Sequence, residues 1–154
     1  MKIADVLHPA AIADELEAEN KSDAIAELTD ALMRVEKGLD RDEVIQALQE
    51  RERLGSTGIG QGVAIPHGKL KHISHMLMSF GRSRRGIDFD SMDHQPAHLF
   101  FLLLAPENAA GEHLKTLARI CKLMKNAEVR QRLLDATGSE AIFSIICEEE
   151  NMLP

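Results

Sequence analysis

Leu99-Phe-Phe-Leu-Leu-Leu-Ala105 is the longest apolar run in the chain. It is far short of the roughly 18 residues that a membrane-spanning helix needs, and it has the length of a β-strand. Its odd and even positions are both apolar, so both faces of that strand must be covered. A strand buried on both faces requires helices above and below its sheet. The run therefore predicts an α/β protein: a three-layer α/β/α domain with a central mixed β-sheet flanked by helices.

The flanking sequence supplies those layers. Ile25, Leu28, Leu32 and Val35 recur at three- and four-residue spacing and predict a helix over Ser22–Lys37, with Ser22 as N-cap and Gly38 as its end. Asp40 and Glu43 form a capping-box pattern ahead of a second helix through Val44, Ile45 and Leu48, stopped at Gly55. Met76–Arg82 and Ala97–Ala105 read as strands, and Gly86–Asp90 as a short alternating strand or turn. Helical spacing returns over Gly111–Lys125, Ala127–Ala136 and Ser139–Cys147. No repeat or low-complexity linker interrupts the chain, so residues 1–154 are expected to form a single domain.

Composition narrows the function. Among 154 residues, 18 Lys and Arg face 25 Asp and Glu, a formal charge of −7, which disfavours a nucleic-acid partner. There is no Trp or Tyr and there are five Phe, so stacking platforms for bases or sugars are scarce. No secretory hydrophobic region opens the sequence, and membrane insertion is not expected. Cys121 and Cys147 lie in helical patterns without a CxxC partner and read as reduced, buried thiols, which places the protein in the cytoplasm. Arg82-Ser-Arg-Arg85 reads as a solvated strand end and Glu148-Glu-Glu150 as a frayed tail.

Five of the ten glycines fall between Gly55 and Gly68, in Gly55-Ser-Thr-Gly-Ile-Gly-Gln-Gly-Val-Ala-Ile-Pro-His-Gly68. The segment is not a P-loop, because Gly68-Lys69 is followed by Leu70 and Val63 stands where the leading Gly belongs. The dinucleotide pattern GxGxxG fails as well, so no nucleotide cofactor is expected, nor any other. His72, His75, His94 and His98 lack the Cys partners and single-helix context of a zinc site, and no metal is expected. What the segment delivers is a histidine. Pro66 restricts the backbone before His67 and Gly68 leaves space beyond it, holding an imidazole at the mouth of a loop. A neutral imidazole keeps one nitrogen lone pair near pH 7, as a transferable phosphoryl linkage requires. Loop amides from the glycine stretch would form an anion-binding nest beside it.

The block Arg51-Glu-Arg-Leu-Gly-Ser-Thr-Gly-Ile-Gly-Gln-Gly-Val-Ala-Ile-Pro-His-Gly-Lys-Leu70 resembles the fructose/mannitol/nitrogen-regulatory type of IIA component of the bacterial phosphotransferase system. The resemblance continues through Asp93-His-Gln-Pro96, Leu99–Leu104, Ala105-Pro-Glu107 and His113-Leu-Lys-Thr-Leu117. Gly-Ser-Thr-Gly-Ile-Gly before the Pro-His-Gly block is most similar to the nitrogen-regulatory branch. The resemblance implies that His67 accepts a phosphoryl group on Nε2 from a small HPr-type phosphocarrier protein, with the Nδ1 proton held by a neighbouring acceptor. It implies that Arg51 and His113 support the phosphate. It further implies regulated target proteins as partners, or a separate IIB protein if the role is sugar transport. An anion- or ligand-binding module without transfer is the non-catalytic alternative. The charge distribution suits phosphate: residues 1–50 carry 5 basic and 13 acidic side chains, whereas residues 51–132 carry 13 basic and 7 acidic.

Overall fold

A computed structural model describes residues 2–154. In chain order the elements are α1 (Ile3–Val6), β1 (Leu7–Ala13), α2 (Lys21–Met33), α3 (Arg41–Arg53), β2 (Gly58–Gly60), β3 (Val63–Ala64) and β4 (His67–Leu70). They continue as β5 (Leu77–Ile87), β6 (Ala97–Pro106), α4 (Ala110–Met124), α5 (Ala127–Asp135) and α6 (Ser139–Asn151).

The apolar run forms β6, and its alternate residues divide between two cores. Leu99, Phe101, Leu103 and Ala105 join Ile120, Leu123, Val129, Leu133, Ile142 and Ile146 under α4, α5 and α6. Phe100, Leu102 and Leu104 join Ile25, Leu28, Leu32, Val44 and Leu48 under α2 and α3. The sheet is thus covered on both faces, as the run required. Edge-to-face pairs, Phe80 with Phe101 and Phe89 with Phe100, anchor one core each.

The six strands form one mixed sheet in the order β1-β5-β6-β3-β2, with β4 also paired to β6. β5 and β6 run antiparallel, whereas β1 on β5 and β3 and β4 on β6 run parallel. β3 and β4 hold the same register along β6, Val63 opposite Leu99 and His67 opposite Leu103. They are one line of chain broken at Ile65-Pro66, where proline has no N–H to give the ladder. Its carbonyl still accepts from Leu103 N at 2.9 Å.

Several sequence expectations change. The glycine-rich segment is not a loop but three short strands, with β2 and β3 making a tight antiparallel hairpin. Leu7–Ala13 forms an edge strand that its Pro9 had concealed. α2 starts one residue earlier than expected, capped by Asn20, whose side chain accepts from Asp23 N, and it ends at Met33 rather than near Gly38. Asp40 caps α3 by accepting from Asp42 N and Glu43 N.

Arg82 is no solvated strand end. It is 2% exposed and donates to Leu133 O, Ala136 O and Asp14 O, closing the C-terminal end of α5. Glu150 is no frayed tail: its buried carboxylate accepts from Ile3 N, Ala4 N and Arg119 Nε. Cys121 and Cys147 are free thiols, each partly rather than fully buried. No described helix is long and apolar enough to cross a membrane.

Candidate functional site

His67 is the first residue of β4, not the end of a loop, and alternation along the strand decides its surroundings. Gly68 and Leu70 face α3 and are buried; His67 and Lys69 point to the opposite face, toward α4. Gly68 packs against α3 there: a Cβ at this position would stand 3.5 Å from Ala47 O, an ordinary contact distance. Arg51 lies one turn beyond Ala47 on α3, near enough for its guanidinium charge to act on the phosphoacceptor candidate. That guanidinium donates to Gly55 O at 2.9 Å.

The ring of His67 is oriented by one strong contact. Nδ1 lies 2.7 Å from Ile65 O. A carbonyl oxygen only accepts, so Nδ1 carries the ring proton and Nε2 keeps its lone pair. Burial pushes the His67 pKa below the usual imidazole value, the Ile65 bond works against that, Arg51 lowers it further and Glu52 raises it. The ring is therefore neutral at pH 7.

His113 enters from the first turn of α4. Its ring centroid is 5.4 Å from that of His67, with the planes at 75°. The residue is 6% exposed, and burial, then the neighbouring His67 and Lys69, hold its pKa down at about 4. Among the described residues its Nε2 is the one buried side-chain nitrogen or oxygen without a hydrogen-bond partner. Leaving a buried nitrogen without any partner costs about 1–3 kcal/mol, so this one is available to a hydrogen-bonding group brought to the site.

His67, Arg51 and His113, far apart in sequence, are thus brought to one place. The expected nest of glycine amides is not formed by the amides that are already committed elsewhere. Thr57 N binds Glu52, Gly58 N binds Ser56 Oγ, Gln61 N binds Asp93 Oδ2 and Ile65 N binds Thr57 O. The four outlying histidines do not converge: His98 Nδ1 engages Ser83 O and His75 Nδ1 engages Ser74 Oγ. No group of three or more His, Cys, Asp or Glu capable of holding a metal occurs among the described residues.

Lys69 escaped sequence reasoning. Had Pro66-His67-Gly68 been read as a strand start, period two would have placed Lys69 beside His67. The other unread feature is apolar: Leu54, Met92, Leu114 and Ile59 are exposed. Leu54 follows α3, Ile59 and Met92 flank Gly58, whose carbonyl accepts from Met92 N, and Leu114 adjoins His113.

Residues 5–149 match the family described as phosphoenolpyruvate-dependent sugar phosphotransferase system, EIIA 2. A nitrogen regulatory protein of Bradyrhizobium diazoefficiens is 42% identical over 146 residues, covering 95% of both chains. The PTS system fructose-specific EIIABC component of Bacillus subtilis is 39% identical over 97% of this chain, which spans 24% of that longer protein. The crystal structure of nitrogen regulatory protein IIA-Ntr from Neisseria meningitidis superposes with a TM-score of 0.87 at 36% identity, covering 94% of this chain and 98% of that one. With nearly its whole length matched in sequence and in fold, the chain belongs to the phosphotransferase-system EIIA 2 family.

Proposed function

We propose that residues 1–154 act as one phosphohistidine relay and regulatory domain in the cytoplasm. His67 Nε2 takes a phosphoryl group from the phosphohistidine of an HPr-type carrier, and target proteins bind one of the two forms in preference. The observation that carries this reading is the fixed ring of His67, protonated at Nδ1 by its bond to Ile65 O and left nucleophilic at Nε2. In the transfer, the donor imidazole's N–P bond breaks as the Nε2–P bond forms. The donor nitrogen recovers its electron pair, and the His67 ring gains positive charge, which the Nδ1–H bond to Ile65 O stabilises.

Positioning and charge neutralisation account for most of the catalysis of phosphoryl transfer. Arg51 offers a planar donor fork to the equatorial oxygens. His113 offers its unpaired Nε2 as a donor when its proton sits there. The exposed Leu54, Ile59, Met92 and Leu114 would meet the carrier around the reacting atoms.

A phosphorylated carrier should label wild type with acid-labile, base-stable phosphate and leave His67→Ala unlabelled. Equal labelling of both proteins removes His67 from the role, and no labelling of wild type leaves an anion-binding module. The 39% identity to a fructose EIIABC component favours one second reading, sugar transport with phosphate passed to a separate IIB protein. Loss of the label to an added fructose-type IIB at the rate of carrier uptake would establish it.

A further inference from the structure

Glu52 follows Arg51 on α3, and its side chain is only 7% exposed. A carboxylate this deep stays ionised only when it is paired and hydrogen-bonded. One oxygen meets Lys21 Nζ at 2.7 Å and Thr57 N at 3.1 Å, and the other accepts from Thr57 Oγ1. Lys21 is itself fixed, its ammonium 5.0 Å from the centroid of the Phe89 ring.

From Thr57 the bonding runs on to the site. Thr57 O accepts from Ile65 N at 3.0 Å, and Ile65 O accepts from His67 Nδ1 at 2.7 Å. Pro66 stiffens the step between the last two residues. Arg51 holds the start of the same segment through Gly55 O. The C-terminal turn of α3 therefore grips residues 55–57 twice, and residue 57 sets where residue 65 lies.

We propose that Glu52 is a positioning residue for the phosphoacceptor: acting through Thr57 and Ile65, it holds the carbonyl that keeps the proton of His67 on Nδ1 and Nε2 open. This rests on His67 being the acceptor. The charges that act on that ring are those of Arg51 and Glu52 from α3, the ring of His113 from α4 packs beside it, and Lys69 of β4 acts on His113. Glu52 is the one acid among them, and its charge opposes the lowering of the His67 pKa by Arg51.

The test is nitrogen NMR on histidine-labelled, unphosphorylated wild type, Glu52→Gln, Thr57→Val and Thr57→Ser. Wild type and Thr57→Ser should show His67 as the Nδ1–H tautomer. Glu52→Gln and Thr57→Val should show a mixture, with the His67 pKa lower in Glu52→Gln. Phosphoryl uptake by Glu52→Gln should be about tenfold slower at unchanged carrier KM, the scale of one lost charged hydrogen bond.

A purely structural Glu52 would lower the unfolding midpoint and leave the tautomer and pKa of the folded protein untouched, and that result overturns the proposal. Should Glu52→Gln fail to fold, Thr57→Val against Thr57→Ser decides: a mixture in the first alone supports it, and wild-type spectra in both overturn it. The two readings fail separately, since wild type that takes up no phosphoryl group ends the relay while the tautomer shifts still judge Glu52.

Discussion

His113 illustrates how one side chain can be costly to the fold and useful to the site. Its ring binds a proton near pH 6.5 in the unfolded chain and resists one until about pH 4 in the folded protein. Between these values the unfolded state holds more protons. The stability linked to this group is therefore complete above pH 6.5 and falls as the pH drops toward 4, by up to about 3 kcal/mol. His67, lowered in the same direction, adds to the slope. Urea unfolding at pH 7 and pH 4.5 should show a clearly smaller loss in His113→Gln than in wild type, and equal losses would assign the slope to other groups. Arg51 is tested by transfer instead. Arg51→Ala should slow phosphoryl uptake by about a hundredfold, in the range for a lost transition-state donor, with its unfolding midpoint near wild type. Arg51→Lys should recover only part of the rate, because an ammonium lacks the planar fork. Sequence made these residues legible unevenly. His67 stands in a motif that constrains its backbone, whereas nothing local marks His113, which on its own reads as a polar residue beside Glu112. Its burial arises only because α4 returns over the face of β4 that carries His67.

At the scale of elements, the β2–β3 hairpin and its continuation β4 decide whether the site exists. Gln61 and Gly62 turn the hairpin with φ of 57° and 79°, and Asp93 secures the turn by accepting from Gln61 N at 2.9 Å. Those two backbone amides on Asp93, from Gln61 and Gln95, hold its carboxylate below the usual range. Gly58 is the close approach: a Cβ there would overlap Ser91 Oγ and come within 3.0 Å of Ser91 Cα. Gly58→Ala should therefore destabilise the protein by about 2 kcal/mol, as overpacking in a rigid setting does. Adding Ser91→Gly should return much of the loss, because it removes the hydroxyl and Cβ that the new methyl meets. Additive losses in the double variant would show that the cost lies in the backbone of Gly58 rather than in this contact. The glycine count already announced close approach and unusual backbone, but the strands were hidden. β2, β3 and β4 are two to four residues long, too short for an alternation to be read, and they exist because β6 offers a partner. β1 was hidden differently: Pro9 and the small Ala10, Ala11 and Ala13 blur its pattern, and the pairing with β5 is irregular between Leu7 and Ile12. The edge position is what tolerates the proline. The long buried strand and the amphipathic helices were legible because burial on one or both sides leaves a periodic record.

Over the whole molecule, two ends of the chain are tied together by a residue that composition disguises. Glu150 stands in a run of three glutamates, and runs of like charge normally lie in solvent. Its neighbour Glu148 does so, reaching Arg132 at 3.2 Å from an exposed position. Glu150 instead turns inward at 1% exposure and gathers Ile3 N at 2.6 Å, Ala4 N at 3.2 Å and Arg119 Nε at 2.5 Å. The carboxylate caps the short α1, closes α6 against it and pairs with α4, the helix that carries His113. No sequence window holds residues 3, 119 and 150 together, so only the assembled fold shows why one acid of three is buried. The same carboxylate predicts a separation between stability and chemistry. Glu150→Ala leaves Arg119 without its partner and two amides without an acceptor, which should cost about 3 kcal/mol, the scale for breaking a buried pair. Glu150→Gln keeps an acceptor for the amides and should cost less. The His67 ring is fixed from the other side of the molecule, through Ile65, Thr57 and the end of α3. Well below its lowered melting temperature, folded Glu150→Ala should therefore take up phosphoryl groups within about threefold of the wild-type rate, a difference of less than 1 kcal/mol in barrier. A much larger loss at a temperature where the variant is fully folded would mean that α4 needs Arg119 and Glu150 to hold His113 in place.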